Sequence, residues 1–224
     1  MYFTLKGKSK KGNKTVLFSL KDAPVLLDDC SVILRNIPGS PIIALNSIRR
    51  CSNVFTIDGK NIAESDVLKQ DYSKKLYTVV FDKGFFVIDN NGISMPLREL
   101  HAATIAGSSG IKDVEPVLQF QYGEDSFCIQ DVLGTKGPYI IINRKSSSCL
   151  QLKRVNQFTD LRDKNNKRLA LGRIVTLRDG RSAYSQLYRG QICVRVDSEY
   201  KDLSKQTDWV INPLYDSRLA AKTN

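Results

Sequence analysis

LYTVVFDKGFFVIDNNGISM, running from Leu76 to Met95, is the stretch that decides the fold class. Two runs rich in β-branched and aromatic residues, Leu76–Phe81 and Phe85–Asp89, flank Asp82-Lys83-Gly84. A three-residue connection with glycine in the left-handed position closes a hairpin. Asn91-Gly92 then supplies a second tight turn leading into Ile93. The stretch therefore predicts three consecutive antiparallel strands, a meander.

The same signature continues outward on both sides. Upstream, residues 2–5 and 15–20 have strand composition and flank a lysine-rich connection holding Lys6, Lys8, Lys10, Lys11 and Lys14. Residues 30–37 and 41–45 lie on either side of Pro38-Gly39-Ser40, and residues 54–57 end at Asp58-Gly59. Residues 62–70 read as a short helix with Val67 and Leu68 inward. A second helix is expected over residues 94–105, where Ser94 can cap, Pro96 suits the first turn, and Leu97, Leu100, Thr104 and Ile105 share a face. Gly107-Ser108-Ser109-Gly110 is the expected linker.

Downstream, Leu118, Phe120 and Tyr122 alternate with Gln119 and Gln121, the period of a half-buried strand. Further strands are expected at residues 126–132, 139–143, 150–155, 174–177 and 191–196, with a short extended piece at 208–211 and one helical turn after Pro213. No internal repeat is visible at a fixed period. The fold class is therefore mainly β, with antiparallel, hairpin-rich, barrel- or sandwich-like subdomains and one or two short helices. The expected division is an N-terminal subdomain, residues 1–106, ending in the short helix, and a basic C-terminal subdomain, residues 111–224.

At 224 residues with 42% hydrophobic and 25% charged side chains, the chain can bury a real core. No apolar run is long enough for a membrane-spanning helix, and MYFTLKGKSKKGNK lacks a signal-peptide core. Five widely spaced cysteines without a CxxC pair argue against a zinc site or a disulfide framework, and for reduced thiols in a cytoplasmic setting. The one histidine, His101, excludes multi-histidine metal centres. No Walker A loop, Rossmann fingerprint or nucleophile elbow is present. No cofactor is implied.

The net charge of +11 is unevenly distributed. It is +6 over residues 1–75, −5 over 76–135, +10 over 136–189 and zero over 190–224. A phosphate backbone needs cations spaced along a surface, with aromatics beside them to stack on bases. Lys153, Arg154, Arg162, Lys164, Lys167, Arg168, Arg173 and Arg181, with Tyr184 and Tyr188 at the edge, meet that description and are expected to form one positive surface. They imply a non-enzymatic module that binds nucleic acid, DNA or RNA. The alternative is a subunit of a large assembly, a viral particle or ribonucleoprotein, turning the same surface to an acidic protein. A third pattern, Asp179 followed by Glu199-Tyr200-Lys201, resembles the D…ExK arrangement of metal-dependent nucleases, without the proline-aspartate that usually precedes it.

Overall fold

The computed structural model describes residues 3–109, 119–143 and 148–212, apart from 13, 28, 30, 123 and 124. Short runs of alternating burial, broken every few residues by turn formers, give antiparallel strands throughout. The first half contributes β1 (Leu5–Lys8), β2 (Thr15–Phe18), β3 (Pro24–Leu27), β4 (Ser31–Leu34), β5 (Ile42–Ala44), β6 (Arg49–Phe55), β7 (Asn61–Ala63), β8 (Asp66–Gln70), β9 (Leu76–Phe81), β10 (Phe85–Asp89), β11 (Ser94–Pro96) and β12 (Ala103–Ser108). The second contributes β13 (Gln119–Tyr122), β14 (Asp125–Cys128), β15 (Val132–Lys136), β16 (Tyr139–Ile142), β17 (Ser148–Gln151), β18 (Val155–Arg162), β19 (Arg168–Ala170), β20 (Ile174–Thr176), β21 (Ser182–Tyr188), β22 (Gln191–Val196), β23 (Glu199–Asp202) and β24 (Val210–Ile211).

The meander is β9, β10 and β11, with Phe81 facing Phe85 and Phe86 facing Pro96. Its first turn differs from expectation in one respect. Lys83, at φ 57°, takes the left-handed position, and Gly84 does not. Gly84 is needed for another reason: a Cβ there would overlap the side chain of Gln191, which arrives from the second half.

Neither expected helix forms. Residues 94–105 are β11, a single 3-10 turn over Leu97–Glu99, and the start of β12. Pro96 is used in the ladder opposite Phe86, Leu100 is extended, and Ala102 at φ 51° breaks any helical continuation. Leu97 and Leu100 are buried as the helical pattern required, but across a strand-to-strand corner. Residues 62–70 likewise split into β7 and β8 around Ser65 at φ 64°. The described residues contain 3-10 turns and no longer helix. Among the described residues no sheet closes into a barrel; the hairpin-rich antiparallel class itself is as expected. The helical turn expected after Pro213 and residues 110–118 lie outside the described residues.

The strand order is duplicated. The sheets β2-β1-β6-β7, β3-β4-β5 and β11-β10-β9-β8-β12 are followed by β14-β13-β18-β19, β15-β16-β17 and β23-β22-β21-β20-β24. The correspondence extends to side-chain bonds. Ser52 Oγ donates to the Ile62 carbonyl at 2.8 Å and accepts from the Val54 N–H at 3.1 Å. Thr159 Oγ1 donates to the Leu169 carbonyl at 2.9 Å and accepts from the Leu161 N–H at 3.2 Å. The turns after β6 and β18 also match: Gly59 and Asn166 are both left-handed, and Thr56 and Asp163 accept from the Lys60 and Lys167 N–H groups. The repeat not visible in the sequence is thus present in the fold.

Like elements of the two halves meet. β3 packs against β15, and Gly84 forms an antiparallel bridge with its counterpart Gln191. Gln191 is fully buried and donates to the Phe85 carbonyl at 2.9 Å, while the Phe85 N–H reaches the Gly190 carbonyl. Nearby, the Phe3, Phe81 and Phe85 rings meet edge to face, and the Arg50 guanidinium sits 4.2 Å from the Phe81 centroid. Arg50 pairs with Asp160 at 3.0 Å, and Gln157, its counterpart in the second half, accepts from the Phe3 N–H. One hydrophobic cluster runs from Phe3 through Val87 to Ile192 and Ile211.

Candidate functional site

The duplicated topology yields two equivalent clefts, each lined by the first sheet of its half and the end of the third. Their lining residues correspond through the strand register. Lys6 pairs across the sheet with Leu17 and Arg49; Gln121 pairs with Ser126 and Asn156. Phe55 faces Asn61 as Arg162 faces Arg168, and Ile105 faces Leu68 as Ile211 faces Val175.

In the first half the cleft holds about 570 Å³. At its floor Asp66 is almost wholly buried and accepts from Lys6 Nζ at 2.6 Å, from Arg49 Nη1 at 3.2 Å and from the Ala63 N–H at 2.8 Å. One buried cation, Arg49, and one partly buried cation, Lys6, are held there by one carboxylate. Above them the rim is apolar: Leu17 is 51% exposed and Phe55 60%, and Ile57 is 62% exposed on the following turn. Sequence reading placed Lys6 in the lysine-rich connection between strands, whereas it lies in β1, and it missed Arg49 and Asp66.

The second-half cleft is smaller, about 250 Å³, and carries different chemistry on the same backbone. Arg173 takes the place of Asp66 and is 5% exposed. Lys167 and Arg168 join it around the Phe158 ring, and among the described residues no carboxylate lines the cavity. Arg168 lies 4.7 Å from the Phe158 centroid, donates to the Thr159 carbonyl at 3.1 Å and to the Gln119 side chain, and reaches Asp160 at 3.6 Å. Burial pushes its pKa down, with Asp160 opposing. Arg162 donates to the Asn166 carbonyl at 2.9 Å at the hairpin mouth, and Lys164 and Lys167 are exposed on the same turn.

The structure thus brings together Arg162, Lys164, Lys167, Arg168 and Arg173. It does not bring the other predicted residues to them. Lys153 and Arg154 sit on the 3-10 turn before β18, at the opposite end of that eight-residue strand from Arg162, a run of about 26 Å. Arg154 covers the Tyr122 ring there. Arg181 is held by Asp179 and Asp197, each at 2.6 Å. Tyr184 pairs with Ile174, whereas Ser185 bonds the backbone of Arg173, so alternation puts Tyr184 on the other face of the sheet. Tyr188 stacks on Tyr200 at 3.6 Å, beside Arg189. The expected single surface is therefore one cationic cleft plus separate, mostly engaged groups.

Of the D…ExK residues, Lys201 Nζ lies 3.7 Å from Asp179, but Asp179 is bonded by Arg181, which pulls its carboxyl down to about 2. Among the described residues no three His, Cys, Asp or Glu side chains gather as metal ligands. Cys51 and Cys193 are buried, and burial pushes their thiols up to about 12, which removes nucleophilic character. No described helix is long and apolar enough to cross a membrane. The chain matches no protein-family model, and no curated protein is significantly similar to it in sequence.

Proposed function

We propose that the chain is a non-enzymatic binding module whose second-half cleft takes a polyanion, with a nucleic-acid backbone as the ligand class. The observation that supports it is the convergence of Lys167, Arg168 and Arg173 on one cavity, with Arg173 at the position where the first half buries Asp66. A phosphate accepts bidentate bonds from guanidinium groups and is favoured where several cations line one cavity. Arg162 and Lys164 at the mouth extend the track.

Salt titration of binding to random-sequence DNA and RNA tests this directly. Each neutralised phosphate adds roughly 0.7–0.9 to the slope of log K against log salt. Changing Arg162, Lys164 and Lys167 together to glutamate is expected to flatten that slope and weaken all sequences alike. Absence of affinity at low salt would transfer the same residues to the alternative, contact with an acidic protein surface in a large assembly. A nuclease would instead show Mg²⁺-dependent cleavage lost on Glu199→Gln, and no such cleavage is expected.

A further inference from the structure

The first-half cleft is lined by side chains of a different chemistry from those of the second. Its apolar rim is not demanded by the fold, because the same backbone positions in the second half carry polar residues. Leu17 corresponds to Ser126, Phe55 to Arg162, and Ile57 to Lys164. Three large apolar side chains kept half or more exposed on only one copy are an unsatisfied surface, not a folding requirement.

The strand beside that rim is also unprotected. β2 is a terminal strand of its sheet, and its outer edge has no partner among the described strands. Sheet edges are normally blunted by charge, and β14, its counterpart, carries Asp125. β2 reads TVLF, with no charge at all. A segment adding to this edge would find backbone donors and acceptors in β2, with alternate side chains beside Leu17 on the cleft face. Around them Lys6, Lys8, Arg49 and Lys60 stand against Asp66 and against Asp58, which pairs with Lys60, leaving an excess of positive charge.

We infer that β2 and the cleft beside it form a docking groove for an extended segment of another protein, one whose apolar side chains alternate with aspartate and glutamate. Edge pairing would set the register, Leu17 and Phe55 would take the apolar anchors, and the lysines would select acidic flanks. A nucleic acid suits this groove less well. Phe55 is the one aromatic side chain among the described lining residues, so successive bases would find no second stacking plane.

The probe is a fluorescein-labelled nonapeptide in which leucine and phenylalanine alternate with aspartate and glutamate, read by anisotropy against the full chain. Binding is expected, with at least tenfold loss when lysine replaces the acidic residues. The Leu17→Ser, Phe55→Arg double variant, which installs second-half residues, should lose at least tenfold while its melting curve stays unchanged. The Arg162, Lys164, Lys167 charge reversal should leave peptide binding intact, which separates this groove from the polyanion cleft. No peptide binding, binding indifferent to the double variant, or equal binding of the lysine peptide would overturn the proposal. So would single-stranded DNA displacing the peptide from the wild-type chain and losing affinity in the double variant. Sedimentation showing a dimer that only the double variant dissociates would make a second copy the occupant, and would overturn it as well.

Discussion

The two clefts share a backbone and almost nothing else. Both are framed by the same four-stranded sheet, the same turn with a left-handed residue, and the same buried hydroxyl on a bulged strand. Yet one has a carboxylate floor and an apolar rim, and the other has an arginine floor and a cationic rim. The shared features are those that satisfy backbone donors and acceptors, which every copy must do. The divergent ones face open space, where the fold sets no chemical requirement. Duplication of this kind separates what holds the chain from what the chain presents.

The floors give the largest expected difference. Asp66→Asn leaves Lys6 and Arg49 buried without their shared carboxylate, and removing one member of a buried ion cluster costs about 3–5 kcal/mol. Urea midpoints would measure it. Arg173→Gln removes the buried charge at the equivalent position and should lower the urea midpoint as well. An unchanged midpoint would show that only the first-half floor is structural.

The contact between halves comes next. Gly84→Val drives a side chain into buried Gln191 and should cost about 1–3 kcal/mol through overpacking. Adding Gln191→Ala should recover part of that loss, a coupling visible only in the double-mutant cycle. Additive effects would mean that the two residues do not meet.

The shared hydroxyls sharpen the comparison from the other side. Ser52→Ala and Thr159→Val each remove one buried donor to a carbonyl and should cost about 1 kcal/mol. Here the halves should behave alike, within a few tenths, by chemical denaturation.

The smallest effect is electrostatic. Asp179 is exposed, so its pairing with Arg181 should leave the melting temperature unmoved on Arg181→Ala. Its carboxyl should nonetheless titrate at about 2 by NMR, because Arg181 favours the ionised form. The pairing is therefore complete above the ordinary carboxylate range and is lost only as pH falls through about 2. Arg181→Ala should return the midpoint toward the ordinary value near 3.9.

The strands were legible because period-two alternation and Gly-containing turns are local signals. Leu76–Phe81 and Phe85–Asp89 fell where their composition put them. The helix over residues 94–105 was not foreseeable as a strand corner. Leu97 and Leu100 have helical spacing, and only tertiary pairing of Pro96 with Phe86 and Ile105 with Leu68 overrides it. The duplication was hidden for a different reason. Equivalent positions conserve burial and backbone angle, whereas identity changes from Asp66 to Arg173 and from Phe55 to Arg162. Turn lengths change too, with three residues between Phe81 and Phe85 and two between Tyr188 and Gln191. For the site, charge density found Lys167 and Arg168, but one-dimensional clustering could not reveal that Arg154 and Arg162 stand at opposite ends of one strand.

The single hydrophobic cluster has a consequence for how the molecule would respond to a bound ligand. Phe85 and Val87 of the first half and Ile192 of the second lie in one cluster, so neither half can open without disturbing the other. Unfolding should be one cooperative event in calorimetry, with van't Hoff and measured enthalpies in agreement. A ligand held at either cleft then raises the free energy of that event for the whole chain. Amides of β2 that exchange by global opening should therefore slow when a polyanion occupies the far cleft, although nothing near them has moved.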